Sequence, residues 1–339
     1  MAMRFAIRLT PVAFAIVYAT VIVNGEAKES HKLLVQGVRA LSHPENYGEH
    51  VYIFGGTAAG GKAVMRFDTY TGRLSKAGSM PAAMRGAVGG QLGDAVLLLG
   101  GTADVTPRLY HRGVFRPAAQ PFHHALAMLR YPVGKMAAVV GRSLYVCGGK
   151  DPRNAREYLL TDECFAYSFD QRQWRVLPSM PLKRFAGAAV GVSDKYLYVL
   201  GGVTTRDGRS DIPHGSVYRL DTTKPSSGWV KTAPMPYYTS HHSAIEISTA
   251  GGGRGIMACG GARRATFSKC HVYEAASNEW RQAASMGRQR AGGLIECGGR
   301  VLAVGGPGHG GIEELGTFGW RDLDGLGHYK NADFALACL

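Results

Sequence analysis

The chain has 339 residues, of which 47 are glycine, and its 39 lysines and arginines against 25 acidic residues give a formal net charge of +14 at pH 7. The abundant glycine, the scarcity of helical periodicity and the lack of a long polar linker argue against a second, separate module and favour one continuous all-β array. The positive charge favours acidic or polyanionic partners through long-range attraction.

The N-terminal region predicts a secretory signal peptide. Arg4 and Arg8 precede an apolar stretch over residues 9–23, and small residues follow, with candidate cleavage positions after Gly25 or Ala27. A basic start, an apolar centre and a small-residue end are typical of a cleaved leader, and the apolar stretch is too short for a stable membrane span. We therefore expect residues 1–27 to be removed on export. An N-terminal anchor or the misassigned start of a longer intracellular protein is the alternative.

Six apolar runs along the chain each end in a pair of glycines. The pairs are Gly55-Gly56, Gly100-Gly101, Gly148-Gly149, Gly201-Gly202, Gly260-Gly261 and Gly305-Gly306. Their spacings are 45, 48, 53, 59 and 45 residues, and a regular period indicates a radial array of similar units. A short apolar run bounded by glycine is typical of a buried strand whose end turns through backbone angles that other residues resist.

Three further marks recur in the same order in most repeats. A hydrophobic residue beside an acid, as in Phe67-Asp68, predicts a strand that enters a turn. A large side chain follows, which we expect to fill the gap between neighbouring sheets: Leu74, Trp174, Trp229, Trp280 or Trp320. A Met-Pro exit such as Met80-Pro81 then ends the last strand. The second repeat has Phe115 but no clear tryptophan, so its outer strands are not defined by this mark.

Together these marks resemble the kelch repeat from about residue 33 to residue 339. The kelch family folds as a β-propeller in which each repeat forms a four-stranded antiparallel blade. The resemblance therefore implies an all-β, six-bladed propeller over residues 28–339. Propeller rings are usually closed within one blade by strands from the chain ends. The run Phe334 to Cys338 is a candidate closing strand beside the first repeat, and residues 33–38 compete for that place.

The six cysteines predict disulfides, provided that the protein is exported. Two repeats hold one cysteine directly before the glycine pair and another at the start of the next strand, giving the pairs Cys147–Cys164 and Cys259–Cys270. The end of one strand and the start of its antiparallel neighbour bring Cα atoms to disulfide distance. Cys297 and Cys338 remain, and they would bridge the ring closure if the last strand lies beside the sixth blade. Reduced thiols, as in intracellular kelch arrays, are the alternative.

A propeller places the loops after the glycine pairs and the connections between blades on the same face of the ring. Such a loop face is where propellers usually bind their partners. Ten residues are predicted to form a binding surface there: Arg85, Lys183, Arg184, Tyr237, Tyr238, Arg263, Arg264, Lys269, Arg288 and Arg290. The tyrosines would supply aromatic contact area, and the basic residues would attract an acidic protein or polyanion. Solvated loops that only keep the protein soluble are the alternative.

An enzyme is the second hypothesis, because some exported propellers similar to kelch arrays oxidise alcohols at a copper ion or epimerise sugars. The candidate copper ligands are His123, His124, His241, His242, Tyr237 and Tyr238. The sequence has no phosphate-binding loop in a strand-to-helix context, no nucleophile elbow and no zinc-type cysteine spacing. We therefore predict no catalytic activity, no metal and no cofactor.

A third hypothesis is an intracellular kelch module of the kind that recruits ubiquitin-ligase substrates or binds actin, which requires the leader prediction to fail. We favour a secreted, rigid and non-enzymatic binding propeller. Its expected partner is a protein or another acidic ligand, because no nucleic-acid-binding module and no membrane span is predicted.

Overall fold

The computed structural model describes residues 49–100, 106–118, 133–151, 159–206, 211–249, 252–263, 265–306, 311–323, 331 and 334–339. In these residues the regular structure is β-strand, apart from two 3-10 turns at Ala58–Gly61 and Pro225–Ser227. The predicted signal peptide and the competing strand at residues 33–38 lie outside the described residues.

The described strands, numbered in chain order, form six four-stranded antiparallel sheets, each of which is a propeller blade. Blade 1 contains β1 (His50–Gly55), β2 (Ala63–Asp68) and β3 (Leu74–Ser79), with β26 (Phe334–Cys338) innermost. Blade 2 contains β4 (Val88–Leu92), β5 (Ala95–Leu99), β6 (Arg108–His111) and β7 (Val114–Pro117). Blade 3 contains β8 (Met136–Val140), β9 (Ser143–Cys147), β10 (Cys164–Ser168) and β11 (Gln173–Leu177).

Blade 4 contains β12 (Ala188–Val192), β13 (Tyr196–Leu200), β16 (Val217–Asp221) and β17 (Trp229–Thr232), with the hairpin β14 (Val203–Thr204) and β15 (Ile212–Pro213) beside it in the chain. Blade 5 contains β18 (Ser243–Ser248), β19 (Arg254–Cys259), β20 (Cys270–Glu274) and β21 (Glu279–Ala283). Blade 6 contains β22 (Gly293–Cys297), β23 (Arg300–Val304), β24 (Ile312–Gly316) and β25 (Gly319–Asp322). Each innermost strand contacts the innermost strands of both neighbouring blades, so the six blades form a closed ring, as predicted.

The ring is closed by the C-terminal strand. β26 pairs antiparallel with β1 in a register that places Val51 opposite Cys338 and Gly55 opposite Phe334. This confirms that the run Phe334 to Cys338 supplies a strand of blade 1. Cys338 is also disulfide-bonded to Cys297 at the end of β22, with their Cα atoms 5.3 Å apart. The closure is therefore covalent as well as hydrogen-bonded.

The other two disulfides each join two neighbouring strands of one blade, and all three pairings agree with those predicted. The Cα atoms of Cys147 and Cys164 are 4.2 Å apart, and those of Cys259 and Cys270 are 4.1 Å apart. Blades 4 and 6 hold apolar pairs at the equivalent cross-strand positions, Leu200–Val217 and Val304–Ile312. In blades 3 and 5 a disulfide thus replaces an apolar contact of the core.

The large side chains of the outer strands fasten each blade to the one before it. The indole N–H of Trp229 donates to the Pro178 carbonyl at 2.9 Å, and that of Trp280 donates to the Ala233 carbonyl at 3.0 Å. Trp229 also packs against the core between blades 3 and 4, which confirms the predicted gap-filling role. In blade 2, Phe115 takes this place opposite Tyr110, so the second repeat is a complete blade without a tryptophan.

The glycine pairs end the second strand of each blade and fix where the next blade begins. We call the segment between the outermost strand of one blade and the innermost strand of the next a blade crossing. The crossings after blades 1, 3, 4 and 5 are residues 80–87, 178–187, 233–242 and 284–292. Gly148 has a left-handed φ of 66°, and a Cβ atom there would lie 2.4 Å from the Arg184 carbonyl oxygen in the crossing after blade 3. Gly149 N–H donates to that same oxygen at 3.0 Å. The close approach of the crossing therefore requires glycine at position 148, and Gly149 has a positive φ of 129°, which side chains rarely adopt.

We expect Gly148→Ala to destabilise the ring more than Gly113→Ala. Gly113 in the β6–β7 turn also has a positive φ, 83°, but a Cβ atom there would meet no atom within 4 Å. Both variants carry the left-handed strain of roughly 1–2 kcal/mol, and only Gly148→Ala adds a clash with backbone, for a total above about 3 kcal/mol. Urea unfolding followed by tryptophan fluorescence measures both losses. Equal losses would contradict the proposed role of the crossing contact.

The closing disulfide is expected to stabilise the ring more than a disulfide within a blade. Cys297 and Cys338 are 41 residues apart, and Cys147 and Cys164 are 17 apart. Chain-entropy arguments give about 4 kcal/mol for the first and about 3 kcal/mol for the second. We would compare two double variants in urea unfolding. One combines Cys297→Ala and Cys338→Ala, and the other combines Cys147→Val and Cys164→Val, which imitates the apolar pairs of other blades. A valine variant less stable than the alanine variant in urea would refute this order.

Candidate binding face and central channel

The innermost strands surround a channel, and its wider described cavity opens where those strands begin. This cavity, which we call the channel mouth, has a volume of about 560 Å³. Each of the six innermost strands contributes to its wall, through Val88, Met136, Ala188, Ser243, Leu294 and Ala335. The blade crossings lead directly into these strands, so the mouth lies on the predicted loop face. Its volume is in the range of small-molecule sites.

The two ends of the channel differ in charge. The channel mouth is lined by Arg85, Lys135, His241 and His242, and none of the described lining residues there is acidic. A second cavity of about 410 Å³ at the other ends of the innermost strands has Asp194, Glu246, Glu296 and Arg142 in its wall. Arg142 is ion-paired with Asp170. The loop face is thus the basic end of the channel.

Five of the ten predicted binding residues are exposed on this face: Arg85, Lys183, Tyr238, Arg263 and Lys269. The guanidinium of Arg263 lies over the ring of Tyr238, 5.8 Å from its centroid, in a cation–π contact. Arg264 lies outside the described residues. The exposed set therefore combines four cations with one aromatic ring.

Arg288 is held in place by acidic neighbours. Its guanidinium is ion-paired with Asp322 and its side chain is 32% exposed. The backbone N–H groups of Gly287 and Arg288 both donate to the carboxylate of Glu313, at 2.6 and 3.0 Å. Arg288 therefore contributes less positive charge to the loop face than the sequence implied.

Arg184 and Arg290 are buried, with 0% and 2% exposure, so the prediction that they lie on the exposed loop face is wrong. Arg184 donates to the Gly201 carbonyl at 3.1 Å, and Arg290 donates to the Gly305 carbonyl at 3.1 Å. Arg290 is also ion-paired with Glu313. Each guanidinium extends from its crossing into the next blade and donates hydrogen bonds to backbone carbonyls there. Both arginines are structural links between blades.

Tyr237 is less available than its neighbour Tyr238. Its ring packs against the ring of His271, with centroids 4.9 Å apart, and burial raises the pKa of the Tyr237 hydroxyl. Tyr238 is 55% exposed. The aromatic contact area expected from this pair is therefore mainly that of Tyr238.

Two of the four histidines considered as copper ligands, His241 and His242, lie within the described residues. His123 and His124 lie outside the described residues. His242 is buried, and loss of hydration lowers its pKa to about 3, so its imidazole is neutral at physiological pH. His241 contacts the Ser240 hydroxyl at 3.0 Å. Within the described ranges, no group of three histidine, cysteine or acidic side chains is arranged to hold a metal ion.

Lys135 is the residue of the channel mouth that the sequence reading missed. It directly precedes β8 and is 5% exposed, and in the described part of the chain its ammonium has neither a hydrogen bond nor an ion pair. Loss of hydration lowers its pKa to about 7. An alignment of the repeats offers a signal, because the same position in the other described crossings holds Ala87, Gly187, His242 and Gly292. A lysine there places an amine against the channel wall.

Six four-stranded antiparallel blades in a closed ring define the protein as a β-propeller. The family model of the Kelch motif matches residues 134–181, which correspond to blade 3 and the start of its exit. Blade 3 therefore matches a Kelch motif, and the glycine pairs and tryptophans of the other blades repeat the same pattern.

Known proteins similar to this chain include a human protein and a solved structure. The human Kelch repeat and BTB domain-containing protein 12 is 28% identical over 156 residues, which are 43% of this chain and 24% of the human protein. The match thus spans about a quarter of that relative. The solved structure of YjhT superposes with a TM-score of 0.62 at 15% identity, covering 85% of this chain and 97% of YjhT. At that identity the likeness shows the fold alone.

We expect Lys135→Met to stabilise the protein in a pH-dependent way. The pKa of Lys135 is about 7 in the folded chain, against 10.5 as its ordinary value, so folding must release a proton or bury an ammonium. The cost is fully present below pH 7 and declines as the pH rises towards 10.5. The advantage of Lys135→Met should therefore shrink by up to about 1.4 kcal/mol per pH unit in that window.

Urea unfolding at several pH values measures this trend. Lys183→Met, at an exposed lysine of the neighbouring crossing, is the matched control and should show a pH-independent difference. If the difference in unfolding free energy between Lys135→Met and the parent protein did not change with pH either, the amine of Lys135 would be hydrated in the folded protein.

Proposed function

We propose that the protein is an exported, non-enzymatic binding module that holds an acidic segment of a protein partner on the face around the channel mouth. The observation that carries the proposal is the charge of that face. Arg85, Lys183, Arg263 and Lys269 are exposed there, and the described lining of the channel mouth contains no acidic residue. The kelch-propeller fold supports a protein-binding module, because a rigid ring holds many loops in fixed relation.

Two acidic residues of blade 6 do little to offset this charge. Glu313 is 1% exposed and ion-paired with Arg290. Glu314 is 8% exposed and ion-paired with Arg300 and Arg321. Asp162, Glu163 and Asp211 in the loops of blades 3 and 4 are partly or fully exposed, so the face carries a basic cluster and is not uniformly positive. Attraction by this cluster raises association rates and weakens as salt screens it.

Tyr238 and Arg263 support a contact that is more than electrostatic. Their cation–π pair holds a large ring and a guanidinium together on the exposed face. Tyrosine and arginine are the side chains most often found at the energetic centre of protein interfaces. A partner segment that places a carboxylate on Arg263 and an apolar group on Tyr238 would use both.

Export is supported by the cysteines. All six are paired at disulfide distance. Stable disulfides are typical of proteins from oxidising compartments and rare in the cytosol. Within the described residues no helix is long and apolar enough to cross a membrane.

Charge reversal at three exposed residues tests the proposal. We expect Arg85→Glu, Lys183→Glu and Arg263→Glu together to weaken binding of a fluorescein-labelled oligoglutamate peptide at least tenfold, about 1.4 kcal/mol, and to remove most of its salt dependence. The protein is produced in a eukaryotic secretory host, and its recovery from the medium with a start near Glu26 or Lys28 would support export. Fluorescence anisotropy across a salt series gives the affinities.

The matched control reverses three cations away from this face, Arg116, Lys224 and Lys231, which are exposed on outer strands or on the opposite turns. This variant has the same net charge as the test variant and should retain nearly the parental affinity. Equal weakening in both variants would show that the peptide senses only bulk charge, and the proposed face would be withdrawn.

A further inference from the structure

We propose that Lys135 is a nucleophilic amine that captures a small carbonyl compound bearing a carboxylate, a 2-oxo acid or aldehyde acid, as a reversible imine in the channel mouth. This site is separate from the exposed cations of the proposed binding face. It would act on a molecule small enough to pass into the cavity.

The position of Lys135 carries the proposal. The residue is 5% exposed, and it lines the channel mouth of about 560 Å³. Met136, Ala137 and Ala188 are among the small and apolar residues beside it. Buried lysines are normally paired, yet Lys135 has no hydrogen-bond or ion-pair partner in the described ranges. An unpaired amine that faces a cavity of small-molecule size is the arrangement of a reactive lysine.

Loss of hydration favours the neutral amine, and no described charge that lines the cavity opposes this. Arg85 faces the cavity from the crossing before β4, His241 and His242 face it from the crossing before β18, and Lys150 follows β9 in the same blade. None of these groups is acidic, so none favours the ammonium form. With a pKa of about 7, Lys135 is half deprotonated at neutral pH. An ordinary lysine is neutral in less than about one molecule in a thousand at that pH.

The chemistry needs no further reactant. The lone pair of Nζ attacks the carbonyl carbon and a C–N bond forms, while the carbonyl oxygen takes up a proton to give a carbinolamine. Loss of water then yields the C=N bond, and addition of water reverses the step. Nothing is oxidised or reduced. The carboxylate of the ligand matches a cavity whose described wall has Arg85 and no acid.

Reductive trapping tests the site in the full chain. The protein is incubated with glyoxylate and sodium cyanoborohydride, which converts an imine into a stable secondary amine, and peptide mapping locates the added mass. We expect one adduct, on Lys135, formed at least tenfold faster than on exposed Lys183 and half-maximal near pH 7. Propionaldehyde, which has no carboxylate, should label Lys135 more slowly than glyoxylate.

Lys135→Arg keeps a cation in place and should abolish the fast adduct, with urea unfolding used to verify that the variant is folded. The wild-type peptide map remains decisive if the variant does not fold. Labelling spread over the exposed lysines, or a folded protein with Lys135 unlabelled, would overturn the proposal. Equal rates with propionaldehyde and glyoxylate would overturn the assignment of a carboxylate-bearing ligand.

Discussion

The hydrogen bond from the second glycine of each pair to a carbonyl in the following crossing is the contact that organises this ring. It occurs in five blades at 2.7 to 3.0 Å, in the pairs Gly56–Met84, Gly149–Arg184, Gly202–Thr239, Gly261–Arg290 and Gly306–Asn331. The bond fixes the end of one blade's second strand to the start of the next blade. Because a side chain on the first glycine would strike the crossing, the bond forms only where a pair of glycines ends the strand. The positions of five of the six innermost strands therefore depend on this bond.

The same crossing residues also reach forward. Arg184 donates to Gly201, Arg290 to Gly305 and Asn331 to Gly55, in each case to the carbonyl of the first glycine in the next blade, at 3.0 to 3.1 Å. In each case the backbone carbonyl of one crossing residue accepts a hydrogen bond from the preceding blade, and its side chain donates one to the following blade. A buried arginine is costly unless its donors are satisfied, and the two terminal nitrogens of Arg290 donate to three carbonyls and the carboxylate of Glu313. The positive charge of Arg290 is therefore neutralised inside the protein and does not add to the charge of the loop face.

This arrangement explains which features the sequence could predict. The glycine pairs, the Met-Pro exits and the paired cysteines are local patterns, so the six blades and the two disulfides within blades could be predicted from them. The C-terminal closure and its disulfide could be predicted only as one alternative, because the pairing of chain ends has no local pattern. Side-chain direction within a crossing could not. Lys183 and Arg184 are adjacent and chemically alike, but one faces water and the other is fully buried. Lys135 was missed for a related reason, because its dry surroundings are built by strands that are far apart in sequence.

The chemistry of the channel mouth follows from how closely the innermost strands approach one another. A Cβ atom on Gly293 would lie 2.4 Å from a methyl of Leu336 on the neighbouring innermost strand, and both residues line the channel mouth. Glycine therefore lets these strands pack closely, and the wall they form is made of small, mostly apolar groups. An exposed cation of the loop face stays hydrated and charged, so it attracts an acidic partner through long-range electrostatics. An amine placed one residue before an innermost strand loses its water to the same wall and becomes a short-range nucleophile. Lysine and arginine thus have two different uses on one face of the ring, because the exposed cations are hydrated and the buried amine lies in the lower dielectric that close strand packing creates.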